Sequence, residues 1–339
     1  MPLAAVATLV YVGIFWHYTY FFHQCLIGIY VMLALAAVPC ADAWSLDSQA
    51  GRTNLKSAEV YGWSRYLCWI VVAVPYFLAG LSKLRASGLS WWLPDNLRGK
   101  IFRDTLSDGL LNWDIGLLLV DAPDALFGGI GLFTLSLELC IIAVLFSAAA
   151  RQALPLLVIG LHLGILLLPD FIFVDALLMQ LIFFGGRASR DNSDRKAHEG
   201  LALRAFVAIA TLTIGWLAYA EYYPISSWKM YAGLQRSPEV TYERVWAEHA
   251  TAGWILAPYQ DCFPAPSHNP YVRIVPRAID RELFPQARAF LNACRTELNE
   301  GLPADEHILR WRVERRRWNH RRDPAIAPYG ELIAERLIE

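Results

Sequence analysis

Four ionisable side chains lie in stretches of the chain that are otherwise almost free of charge. Lys83 closes the run AVPYFLAGLSKL, Glu138 lies in LSLELCIIAV, His162 in VIGLHLGILLLPD, and His23 follows the aromatic stretch FWHYTYFF. Ionisable groups in an apolar medium are costly, so each is a functional candidate by default. A lysine there offers a base when its amine is neutral; the plainer alternative is an ammonium that snorkels to the interface from a helix end. Histidine can hold or hand over a proton near neutral pH, or be held as a satisfied interhelical group. Glu138 is expected to be protonated or paired, with Arg65 or His162 as partner, and to serve as interhelical glue, as is Asp175. His17 and His23 adjoin a short loop. Ala79 and Gly80 stand one turn before Lys83, where small side chains admit another helix or a flat ligand ring.

The elements that must position these residues are apolar helices. Of 339 residues, 56% are apolar and 18% charged, against roughly 45–50% and 25% in a soluble domain. Residues 1–22, 24–41, 66–82, 152–169 and 205–220 carry no charge with histidine neutral; 125–150 carries only Glu138 and 171–186 only Asp175. About 20 apolar residues cross a bilayer, and backbone groups in lipid must bond within their own segment. The expectation is an all-α polytopic membrane bundle of about seven spans, near 3–22, 24–41, 60–82, 125–150, 152–169, 171–186 and 202–221. The short run 109–120 reads as a re-entrant or interfacial helix. Pro75 should kink the third span, and Pro155 should fall near the start of the fifth. A soluble protein would need an implausibly large dry core. The first run lacks the basic start of a signal peptide.

Two regions follow: a transmembrane domain over 1–222 and an extramembrane tail over 223–339. With the N-terminus in the cytoplasm, inner loops hold seven Lys and Arg and outer loops five, which places the tail on the outer face of a cell or inner membrane. The tail reads as a small α+β unit. Residues 280–299 have helical apolar spacing, and 306–318 alternate as a strand does, with Leu309, Trp311 and Val313 on one side. The run RRRWNHRR could meet anionic headgroups, although a solvated strand and loop is the simpler reading. Of six cysteines, Cys25, Cys40, Cys68 and Cys140 lack metal spacing and read as packing residues. Cys262 and Cys294 can pair if the tail is in an oxidising compartment. No metal site is expected, and the net charge of −1 gives no support for nucleic-acid binding.

PYFLAGLSKL, followed by Trp91 and Trp92, resembles the corresponding helix end of vitamin K-dependent γ-carboxylases and of the wider horizontally transferred transmembrane (HTTM) domain. Ala79, Gly80, Lys83 and Leu84 match the Ala-Gly-x-x-Lys-Leu stretch that carries the family's base. The aromatic–His segment ending at His23, with His17 as a rival, and WSLD at Trp44–Asp47 resemble upstream family motifs; Glu138 and His162 resemble later ones, and PISSWKMY the stretch after the last span. Ser82 departs from the animal enzymes, which have a basic residue there. The resemblance spans roughly residues 10–232. It implies a lyase in which Lys83 takes a proton from a reduced, vitamin K hydroquinone-like quinone, with O₂ and CO₂ as co-substrates and a glutamate in a peptide or protein substrate as the carboxylated group. His23 and His162 would stabilise an anion or pass a proton. Tyr76, Gly80 and Trp91 would hold the quinone ring in a water-poor site. The lipid bilayer is the remaining partner. The alternative is a non-enzymatic binding, export-associated or self-protection protein on the same scaffold, since DoxX-like proteins also carry an AGxxKL-like helix end. A transporter would show inverted repeats, and none is visible.

Overall fold

The computed structural model describes residues 2–18, 24–40, 42, 45–52, 58–106, 113–170, 173–184, 195–229, 232–235, 237–257, 284–322 and 330–338. The chain is mostly helical, with a small sheet. Three helices are long and apolar enough to cross a membrane: Val60–Trp92, Asp124–Leu145 and Ala148–Leu167. Four shorter apolar helices, Pro2–Ile14, Leu26–Ala36, Val174–Phe184 and Ala202–Leu217, accompany them.

The chain divides into two compact units. The first comprises Met1–Trp91, Gly131–His162 and Phe173–Leu234. Its helices are α1 (Pro2–Tyr18), α2 (Gln24–Ala36), α3 (Leu46–Gln49), α4 (Ala58–Ser87), the parts of α6 (Asp124–Cys140) and α7 (Ala148–Leu167) within those bounds, α8 (Val174–Met179) and α9 (Arg195–Leu217). Helix α4 is central, packing against α2, α9 and the 3₁₀ turn Ile141–Leu145 that extends α6. Its apolar window is 78% buried, whereas that of α7 is 17% buried. An apolar helix so exposed suits a lipid-facing position, and its few buried side chains mark the face turned inward. Those are Pro155, Val158 and His162.

Several boundaries differ from the sequence expectation. Helix α4 runs unbroken through Pro75 and on to Ser87, so Lys83 stands a turn inside the helix instead of at its end. The apolar run 125–150 is split. Ser147 accepts a hydrogen bond from the Ala150 amide at 3.3 Å and so starts α7 at Ala148, the usual job of a serine before a helix. Pro155 therefore sits two turns into α7. The segment near 109–120 is a 3₁₀ helix at Asp114–Leu119, and residues 107–112 lie outside the described residues.

The second unit comprises Trp92–Ile130, Leu163–Ile172 and Gln235–Glu339. Strands β1 (Glu221–Tyr222) and β2 (Ile225–Ser226) belong to the first unit; here an antiparallel sheet is ordered β4 (Gly253–Leu256), β3 (Glu239–His249), β5 (Ile308–Asn319), β6 (Glu331–Ile338). Helix α10 (Phe284–Asn299) packs on β5, and α5 (Pro94–Leu106) on β3. Trp311 donates its indole N–H to the Leu291 carbonyl at 2.9 Å. The β3–β5 register shifts at Glu248/His249, opposite Leu309. Such a bulge reverses which side chains face the core. Ile308 is buried and Leu309 exposed, while Trp311 and Val313 point inward as expected. Cys294 is buried and disulfide-bonded; Cys262 lies outside the described residues.

Candidate functional site

Tyr76, Gly80 and Lys83 are spaced four and three residues apart on α4, which places them on one face of the helix. Lys83 is 3% exposed. Its Nζ donates to Glu138 Oε1 at 2.7 Å, and the ammonium lies 5.1 Å from the centre of the Trp91 ring. Trp91 is itself buried in the 3₁₀ turn Gly88–Trp92 that follows α4. Gly80 makes the pair possible. A β-carbon there would stand 3.1 Å from the Glu138 Cβ and 3.1 Å from a Leu139 methyl, so the absence of a side chain lets the end of α6 come close enough for the carboxylate to reach the amine.

Ser82 fixes the backbone beside the lysine. Its hydroxyl donates to the Ser227 carbonyl at 2.9 Å and accepts from the Trp216 indole at 2.9 Å. The residue is buried. Three residues on, the Arg85 guanidinium lies 3.5 Å from the centre of the Tyr219 ring and donates to the Trp216 carbonyl at 3.2 Å. The end of α9 and the residues after it thus clamp the end of α4.

A second polar group lies two turns earlier. The Tyr76 hydroxyl is 2.6 Å from His162 Nε2, and Gln180 Nε2 donates to the tyrosine oxygen at 3.4 Å. All three residues are buried, and Phe173 packs its ring 5.3 Å from the imidazole. Glu138 Oε2, His162 Nδ1 and Gln180 Oε1 are buried without a hydrogen-bond partner among the described residues. An unsatisfied buried polar atom costs free energy and so requires a reason to be there.

Of the residues singled out in the sequence, the structure joins Lys83 to Glu138 and Trp91, and His162 to Tyr76. Tyr76 meets a histidine with its hydroxyl. The partner of Glu138 is Lys83, not Arg65 or His162. His23 lies outside the described residues. Gln180 went unremarked in the sequence, although a lone amide between apolar residues in DALLMQLIFF could have drawn attention to it. Among the described residues there is no cluster of His, Cys, Asp or Glu able to hold a metal ion.

The family model for the HTTM domain matches residues 3–183. That stretch contains Tyr76, Gly80, Lys83, Trp91, Glu138, His162 and Gln180. No curated protein and no solved structure matches the chain.

Proposed function

The chain belongs to the HTTM domain family and is a membrane protein, and on that premise we propose a redox-linked enzyme that acts on a reduced quinone with the Lys83–Glu138 pair as its base. The observation that carries the reading is the 2.7 Å contact between two ionisable groups among apolar helices, with one carboxylate oxygen left without a partner. Buried pairs of this kind rarely stabilise a fold more than apolar packing would.

A hydroquinone fits the donor set. Glu138 Oε2 can accept a hydroxyl proton, and the Trp91 ring suits an aromatic ring, whereas the bare backbone at Gly80 is already covered by Glu138 and Leu139 and does not face a ligand. Bound there, a reduced quinone would supply the acidic hydroxyl and the electrons for O₂. The chain's own part is proton handling. Whether the pair begins as ammonium and carboxylate or as amine and carboxylic acid, it takes up one proton and ends as ammonium beside carboxylic acid. The positive charge then stands next to the oxyanion it has made. The buried surroundings exclude the water that would quench a strong base. CO₂ as co-substrate and a glutamate-bearing peptide as acceptor belong to the same proposal, as does a contribution from His23.

We read the three long and four shorter apolar helices as seven spans, with the tail on the outer face. The disulfide at Cys294 supports that side, since disulfides persist in oxidising compartments.

One observation favours the non-enzymatic alternative: Lys83 already has a counter-ion, as a purely structural lysine would. The two readings separate in O₂ consumption by the purified protein with a reduced naphthoquinone. An enzyme loses about 100-fold or more of its rate in Lys83→Met, with the helical circular-dichroism spectrum retained. A rate indifferent to Lys83, or no rate with any of several quinols, removes the base and leaves a binding protein.

A further inference from the structure

The hydrogen bonds around His162 have a direction. Gln180 Nε2 donates to the Ala176 carbonyl at 3.0 Å, and a flipped amide would set two oxygens against each other there. The amide orientation is thereby fixed, and the second N–H of the same nitrogen points to the Tyr76 oxygen at 3.4 Å. That oxygen accepts, so the tyrosine proton must go elsewhere. His162 Nε2, at 2.6 Å, is the acceptor beside it. Nε2 is therefore the unprotonated nitrogen, and a neutral imidazole then carries its proton on Nδ1. Nδ1 is buried and has no acceptor among the described residues.

We propose that Gln180 and Tyr76 lock His162 as a hydrogen-bond donor through Nδ1 to the carbonyl or oxyanion oxygen of a buried quinone-type ligand. The assignment rests on the reading given under Proposed function and adds a role to it: His162 stabilises developing negative charge and is not a second base. Tyr76 and Gln180 are positioning residues. They act by keeping the Nε2 lone pair occupied, which leaves the ring one way to be neutral. A proton relay through His162 would require Nε2 to release and regain a proton, and the tyrosine bond blocks that. The chain of donors runs Gln180, Tyr76, His162, and its open end is the Nδ1 proton, where a ligand acceptor would remove the cost of a buried unpaired donor.

The test is ¹⁵N NMR of histidine-labelled protein in lipid nanodiscs, with the signals of His162 assigned among the eight histidines by their loss in His162→Asn. The expected spectrum of the wild type shows Nδ1 protonated and Nε2 bare. Tyr76→Phe, and independently Gln180→Leu, should give a mixture of tautomers. Added menadione should shift the Nδ1 signal. Its affinity should fall about 5-fold in Tyr76→Phe and in His162→Gln, and stay within about 2-fold in His162→Asn, whose amide nitrogen can stand in for Nδ1. A wild-type ring protonated on Nε2, or an Nδ1 signal that menadione does not move, overturns the proposal. The tautomer and its response to menadione are read at His162 itself and do not depend on proton transfer to the Lys83–Glu138 pair. A normal response in a protein that turns over no quinol would therefore fault the base assignment alone.

Discussion

Both units bury charged groups, but they treat them differently. In the first unit, three buried polar side chains near Lys83 each keep a vacant position: Glu138 holds the lysine with one oxygen, His162 holds Tyr76 with one nitrogen, and Gln180 leaves its oxygen free. In the second unit, carboxylates are shared. Glu314 lies 3.1 Å from Arg312 and 2.8 Å from Arg316, and Asp124 meets both Arg98 and Arg321. Arg310 pairs with Glu248, and Arg315 with Glu243. The arginines of β5 are thus largely answered by carboxylates of its own sheet. Groups whose bonds are complete hold an architecture together. Groups left half-bonded in an apolar setting are what a ligand can complete. His320 departs furthest from this in the second unit, with neither ring nitrogen partnered among the described residues and its ring against Phe102 and Trp318, while Arg98 Nε, Trp246 Nε1, Asn292 Oδ1 and Arg312 Nε are also buried there without a hydrogen bond.

The contrast can be broken by mutation, most severely at the buried pair. Glu138→Leu leaves a buried ammonium alone and should cost about 3–5 kcal/mol, read as a lowered unfolding temperature in detergent. Lys83→Met/Glu138→Leu should recover most of that loss, because no charge is then stranded. If the double variant is as unstable as the single, the pair is needed for folding and not only for chemistry.

The next effect is acid sensitivity in the second unit. Burial first, and then the positive charge of Arg98, push His320 down to about 4. Its folded form resists protonation, so the unfolded chain binds more protons between pH 6.5 and 4. Stability is complete above that window, falls as the pH drops through it, and levels off below. The loss should be about 3 kcal/mol, and His320→Phe should flatten this part of the pH profile.

Smaller again is Gly80→Ala, about 1–2 kcal/mol from crowding Glu138 and Leu139. If the close approach is for the pair, quinol oxidation should fall more steeply than stability. The smallest effect is Arg321→Ala. Its side chain is 41% exposed and that of Asp124 51%, and surface pairs contribute about 0.5 kcal/mol. A loss of several kcal/mol there would mean that the shared-carboxylate network is worth far more than its exposure implies.

Much of the frame was legible. Charge-free runs disclose apolar helices because lipid admits little else, and period-two spacing disclosed β5. Lys83 and Glu138 stood out as charges in such runs, yet their pairing did not. They are 55 residues apart, and helical periodicity gives a face without saying which helix it meets. Leu309 and Ile308 exchanged places because a bulge depends on the partner strand. The packing of α5 on β3 joins residues with no shared pattern at all.

Composition and pattern alone make this chain apolar enough for a membrane, place it with HTTM domains, and set a lysine, a glutamate and a histidine where charge is costly. It took the packed helices to show that the glutamate answers the lysine, that a glycine brings them together, and that Tyr76 and Gln180 bond in series to His162. Composition and periodicity are properties of one segment at a time. A hydrogen bond's direction depends on groups from several helices, and exists only once those helices have packed.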